Sequence, residues 1–147
     1  MGGYKYLISA CLCGENCRYD GGRFDYPALR QLAEQGVALP YCPEHAGGLP
    51  IPRKPCEIVG ELVLAADGTD CTAEYTCGAA GALELCQKHG ITAAILKDGS
   101  PSCGSTRIYD GTHSGTKIPG MGLAACLLSE NGVTLYSETN LPKDIEE

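Results

Sequence analysis

The sequence predicts an α/β fold: a mostly parallel open sheet, Rossmann-like, with helices on both faces and a small inserted hairpin. Three observations predict it. Short apolar, β-prone runs at Tyr4–Ser9, Val37–Tyr41, Thr92–Lys97 and Val133–Ser137 alternate with stretches of helical period. Gly36, Gly90 and Asn131-Gly132 stand where the helical stretches should stop. The 147 residues, 44% hydrophobic and 20% charged, suit one ordered domain spanning 1–147, with enough apolar chain for a core.

The elements follow in order. Tyr4 to Ser9 reads as a first strand. Residues 10–22 then form a polar, glycine-rich loop that includes Cys11, Cys13 and Cys17. Asp25-Tyr26-Pro27 opens a helix, with proline in its first turn and Leu29, Leu32 and Ala33 as its apolar stripe. After the strand ending at Tyr41, residues 42–55 contain four prolines and two glycines, so an extended, partly stiffened loop is expected there. Ile58-Val59 and Leu62-Val63-Leu64 around Gly60-Glu61 give the inserted hairpin. Asp70 or Thr72 is placed to cap the next helix, whose stripe is Tyr75, Ala79, Ala82, Leu83 and Cys86. A buried strand ends near Lys97. Ser100-Pro101-Ser102-Cys103-Gly104-Ser105 follows, a loop of small side chains that leaves backbone N–H groups open. Arg107 to Gly120 is rich in glycine and hydroxyl residues and reads as turns. Met121 to Glu130 reads as the last helix.

Composition limits the function. A net charge of −7 argues against nucleic acid as partner, because phosphate-backbone binding needs a basic face. No apolar run reaches bilayer-spanning length, and the run in Tyr4–Ser9 is too short for a signal peptide. The expectation is a cytoplasmic protein with no membrane partner and a small-molecule substrate; a homo-oligomer is left open. Ten cysteines in such a chain point to metal binding or thiol chemistry rather than to disulfides.

Position sorts those cysteines. Ligands of parallel sheets bind outside the carboxyl ends of the strands. Cys11, Cys42 and Cys103 each lie just past such an end, so parallel packing brings three thiols to one edge. Three ligands leave one coordination position open, the mark of a catalytic metal site, and thiolates favour zinc, copper(I) or an iron–sulfur cluster. The plainer reading of a cysteine is a small buried hydrophobe. It suits Cys71, Cys77, Cys86 and Cys126 and leaves Cys13, Cys17 and Cys56 undecided. Glu44, two residues after Cys42, is placed to position or deprotonate water; its plainer reading is a solvated or arginine-paired charge. Ser100 and Ser102 are candidate hydrogen-bond donors to a substrate or cluster sulfur, or simply caps of their own turn. Arg18, Asp20 and Arg53 are expected to form loop-bracing ion pairs. Tyr19 and Tyr109 would wall the pocket or pack, and His45 has many bland uses.

Several of these motifs, taken together, resemble the thiouracil desulfidase family. They are Ser9-Ala10-Cys11, Arg18-Tyr19-Asp20-Gly21-Gly22, Cys42-Pro43-Glu44, Gly47-Gly48-Leu49-Pro50 with Pro52-Arg53, and Ser100-Pro101-Ser102-Cys103-Gly104. Ile108-Tyr109-Asp110-Gly111-Thr112 and Ser114-Gly115 extend the likeness. The resemblance implies a [4Fe-4S] cluster bound by three cysteines, Cys11, Cys42 and Cys103, and a fourth iron that takes the sulfur of a thiolated base such as 2-thiouracil. It also implies Glu44 as the acidic catalytic residue, helped by a serine of Ser100-Pro101-Ser102. Cys13, Cys17 and Cys56 depart from the family pattern and offer an alternative ligand or a sulfur relay. Two other classes stand beside the desulfidase: a zinc or iron–sulfur binding or sensing module, and a cluster-assisted sulfurtransferase or carrier.

Overall fold

The structure, a computed structural model, describes residues 3–13, 26–50, 54–143 and 145. Four parallel strands make the central sheet: β1 (Tyr6–Ser9), β2 (Ala38–Tyr41), β5 (Ala93–Leu96) and β8 (Thr134–Ser137), in the spatial order β2-β1-β5-β8. Parallel sheets are covered on both faces, so their strands need no polar side. Every residue of β1 is buried accordingly. Successive side chains alternate between faces. Leu7, Ala94 and Leu96 point to one side, where α3 (Thr72–His89) and α4 (Leu123–Glu130) supply Ala79, Ala82, Cys86, Ala124, Ala125 and Leu128. Tyr6, Ile8 and Ile95 point to the other, against Leu29 of α1 (Pro27–Glu34) and Leu12 of a 3₁₀ turn at Ala10–Cys13. The predicted α/β class, with helices on both faces, is what the chain adopts.

Chain order explains where a site can form. From β1 the chain moves outward to β2, then returns to the opposite side of β1 for β5 and β8. The carboxyl ends of β1 and β5 therefore flank a topological switch point, where open α/β sheets leave a crevice.

The inserted hairpin is β3 (Cys56–Val59) and β4 (Leu62–Ala65), antiparallel and turning at Gly60. Its inner face packs Cys56, Val63 and Ala65 on Tyr75 of α3.

Four expectations need correction. Residues 42–55 are not wholly irregular: Pro43–Ala46 forms a one-turn helix, α2. Proline is tolerated there because the first helical N–H has no partner within the helix. The segment 107–120 is not all turn: β6 (Arg107–Tyr109) and β7 (Lys117–Pro119) pair as a second hairpin, too short and polar to read as strands. The N-cap of α3 is Cys71, without a side-chain cap bond; Asp70 instead accepts the N–H and hydroxyl of Thr72. Cys77 and Cys126 are exposed, not buried. Each lies off its helix's buried stripe, whereas Cys71 and Cys86 are buried as expected. Cys17, Arg18, Tyr19, Asp20 and Arg53 lie outside the described residues. Among the described residues, no helix is long and apolar enough to cross a membrane.

Candidate active site

At the carboxyl ends of β1, β2 and β5 the chain encloses a cavity of about 170 Å³. Ser9 and Cys11 come from the end of β1, Tyr41, Cys42 and Glu44 from β2 and α2, and Ser100, Ser102 and Cys103 from the segment after β5. All six residues singled out for chemistry, Cys11, Cys42, Glu44, Ser100, Ser102 and Cys103, line this one space. Pro55 and Cys56 of the first hairpin and Tyr109 and Lys117 of the second complete its rim. Tyr109 is thus a wall residue, with the Lys117 ammonium 5.3 Å from its ring centroid.

Each group is held by local structure. Cys42 is the N-cap residue of α2, and Glu44 lies in that helix's first turn. Two glycines seat α2 against α3. A Cβ on Gly78 would lie 1.9 Å from the Pro43 carbonyl oxygen, and one on Gly47 would lie 2.0 Å from that of Glu74. No side chain fits in either place. The Tyr41 hydroxyl adds a bond to the Gly78 carbonyl at 2.9 Å, and burial, followed by nearby thiols, pushes its pKa up to about 12. Gly78→Ala is therefore expected to push α2 away from α3. It should cost about 1–3 kcal/mol in urea unfolding and depress activity by moving Cys42 and Glu44 together. Wild-type stability and turnover in that variant would show that the contact is not needed.

The serines and Glu44 form one hydrogen-bonded group. Ser100 Oγ accepts the N–H groups of Ser102 and Cys103, each at 3.0 Å. With both acceptor positions used, its proton is directed outward. Glu44 Oε2 lies 3.2 Å from Ser100 Oγ and 3.0 Å from Ser102 Oγ, and the two hydroxyls are 2.9 Å apart. Ser100 therefore caps its turn, one of the two roles considered for it, and also reaches Glu44, a contact the sequence did not suggest. Ser102 is 1% exposed, so its hydroxyl serves this group and the neighbouring Cys103 sulfur, 3.7 Å away, rather than solvent.

Cys103 is buried at 5% exposure. Burial pushes its thiol up to about 12; hydroxyl bonds from Ser9 and Ser102 oppose this, while Glu44 and Cys42 add to it. The Ser9 hydroxyl also accepts the Lys97 N–H at 2.9 Å and so ties the ends of β1 and β5 together. Ser9 was legible only as part of a motif, not as a donor.

The remaining cysteines separate cleanly. Cys13 Sγ donates to the Leu29 carbonyl at 4.0 Å and packs with the opposite face of the sheet. Cys56 does reach the cavity wall. Its thiol donates to the Lys54 carbonyl at 3.7 Å, and burial and then Cys71 raise its pKa to about 12, so it rests as a thiol. His45 is exposed, with Nδ1 3.0 Å from the Leu49 carbonyl oxygen, and belongs to the local turn.

The donor set can be tested against the groups it was expected to hold. Among the described residues, no three His, Cys, Asp or Glu side chains meet the spacing of a single-ion site. A cluster asks for something different, because each thiolate binds its own iron. Three thiols in one wall, with hydroxyl donors at one of their sulfurs, fit that demand.

The family model described as 2-thiouracil desulfurase matches residues 6–140. A Bacillus subtilis (strain 168) protein, uncharacterized protein YbbK, is 41% identical over 145 residues, covering 92% of this chain and 96% of its own. The solved structure of a [4Fe-4S]-dependent thiouracil desulfidase, TudS, matches at a TM-score of 0.90 and 47% identity. That match covers 95% of this chain and 94% of the other. The chain belongs to the 2-thiouracil desulfurase family.

Proposed function

We propose that the protein is a [4Fe-4S]-dependent desulfidase that converts the C=S group of a thiolated nucleobase such as 2-thiouracil into C=O. Cys11, Cys42 and Cys103 are its cluster ligands, Glu44 its general base and then acid, and Ser100 and Ser102 the residues that orient Glu44. The observation that carries this reading is the meeting of all six side chains on one cavity at the switch point of the sheet. The likeness to a solved [4Fe-4S]-dependent thiouracil desulfidase supports it.

Bound by three thiolates, a cluster supplies a Lewis-acidic iron with an open position for the thiocarbonyl sulfur. The protein's own part is proton handling and placement. Hydroxyls within 3.2 Å of Oε2 hold the Glu44 carboxylate in place. From there Glu44 takes a proton from a water whose oxygen attacks the thiocarbonyl carbon. As the tetrahedral carbon collapses to C=O, the C–S bond breaks, Glu44 gives its proton to the departing sulfur, which leaves as hydrosulfide, and the remaining proton of the attacking water passes to solvent. A C–O bond replaces a C–S bond, and nothing is oxidised or reduced. A persulfide on Cys56 would require an oxidant that this hydrolysis does not provide, so the carrier reading gains nothing from that thiol.

Anaerobic purification tests the proposal. The expected protein is brown, has the broad visible absorbance of an iron–sulfur cluster, and releases sulfide from 2-thiouracil. A colourless protein with stoichiometric zinc would overturn the cofactor assignment. A brown protein that releases no sulfide from any thiolated pyrimidine would leave the sensing module in its place.

A further inference from the structure

One carboxylate outside the reacting group organises the loop that carries half of it. Asp98 lies two residues past the end of β5. Its Oδ1 accepts the N–H groups of Gly99 at 3.0 Å and of Ser105, Thr106 and Arg107, each at 3.1 Å. Its Oδ2 accepts the Thr106 hydroxyl. These donors lie at the two ends of the 99–107 loop, and Ser100, Ser102 and Cys103 lie between them. The loop also closes on itself, through Gly99 N–H to the Arg107 carbonyl at 3.1 Å and Gly104 N–H to the Ser100 carbonyl at 2.9 Å.

The main chain of Asp98 is fixed in turn. Its N–H donates to Glu138 Oε1 at 2.9 Å, and its carbonyl accepts the Lys97 ammonium at 2.7 Å. Lys97 and Glu138 pair at 2.9 Å, with the Glu138 side chain only 7% exposed. The backbone of residue 98 is therefore clamped to Glu138, the residue that follows β8, while its side chain holds the loop. Burial alone would raise the Asp98 pKa. The hydroxyl and N–H of Thr106, then the N–H groups of Arg107 and Gly99, outweigh burial and bring it down to about 2.

We infer that Asp98 is the positioning residue of the Ser100–Cys103 segment: it sets the two serines at their distance from Glu44 and Cys103 at its place in the thiol set. Because Thr106 and Arg107 lead into β6, the same carboxylate also orients the hairpin that brings Tyr109 and Lys117 to the rim. The inference rests on the functional reading above only for what the held groups do. Their being held by Asp98 is a separate claim.

The test therefore begins with iron-free protein. In Asp98→Ala, amide hydrogen exchange across 99–107 is expected to rise about tenfold or more, with β1 and α3 unchanged. Alkylation of Cys103 should accelerate by a similar factor relative to Cys86, which is buried in α3. Asp98→Asn keeps the shape and one acceptor oxygen and should restore much of the protection. In loaded protein, Asp98→Ala should lower kcat about tenfold or more, with partial rescue in Asp98→Asn. If Asp98→Ala does not fold, the comparison is made on Asp98→Asn, where faster exchange confined to 99–107 supports the inference. Wild-type exchange and alkylation in the folded variant, or loosening spread evenly over the whole chain, would overturn it. A loop that loosens as expected in a protein that never acts on 2-thiouracil upholds Asp98 and overturns the functional reading.

Discussion

Glu44→Gln is expected to lower kcat by about 10²–10⁴-fold while leaving the cluster in place. The amide keeps the size and shape of the side chain, and its carbonyl oxygen can still accept from Ser100 and Ser102, which lie 3.2 and 3.0 Å from Oε2 in the native group. What it cannot do is take a proton from water. Iron content, absorbance spectrum and KM should therefore stay close to wild type. The loss should fall on the hydrolytic step, read as single-turnover sulfide release. A Gln variant that turns over normally with a full cluster would remove Glu44 from the chemistry and leave it as a spacer beneath the serines.

Cys103→Ala should abolish cluster loading altogether. Iron and acid-labile sulfide, measured after anaerobic reconstitution, should fall to background, and all turnover should go with them. Cys86→Ala is the matched control. That thiol is also buried, at 2% exposure, but sits in the α3–α4 packing layer away from the cavity. Both substitutions remove one sulfur from a packed site, so their stability costs should be similar. Only the first should empty the protein of iron. Full iron and sulfide in Cys103→Ala would show that the ligand set is different. Cys56 would then be the first thiol to examine, because it also faces the cavity.

What the sequence disclosed follows from period and position. Four β-prone runs separated by helical stripes were enough for the sheet. Glycines after the stripes marked the helix ends; Gly90, at φ 66°, is the left-handed stop that a side chain would resist. The carboxyl-edge rule for parallel strands gathers Cys11, Cys42 and Cys103, and all three line the one cavity. Other features depend on contacts between segments distant in sequence, and no local pattern reports those. Gly78 reads as an ordinary weak point in a helix; its reason is the Pro43 carbonyl pressed against it. No local pattern marks Asp98, and its reach to Thr106 and Arg107 appears only when the loop closes. α2 is hidden among the four prolines of residues 42–55, although Pro43 occupies the first-turn position that suits a proline. Cys56 stayed undecided in the sequence because its hairpin had no predicted docking place.

The two hairpins carry a wider consequence. Neither pairs with the central sheet, and they are tied to each other where Glu57 Oε1 of β3 accepts the N–H groups of Gly111 at 3.0 Å and His113 at 3.2 Å. They furnish the outer rim of the cavity, whereas the thiols, the serines and Glu44 come from the sheet's own connections. The rim and the groups proposed for chemistry therefore come mostly from different pieces of chain. The second hairpin nevertheless shares the Asp98 carboxylate with the loop of Ser100, Ser102 and Cys103, so a change at its base would be felt on both sides of the cavity.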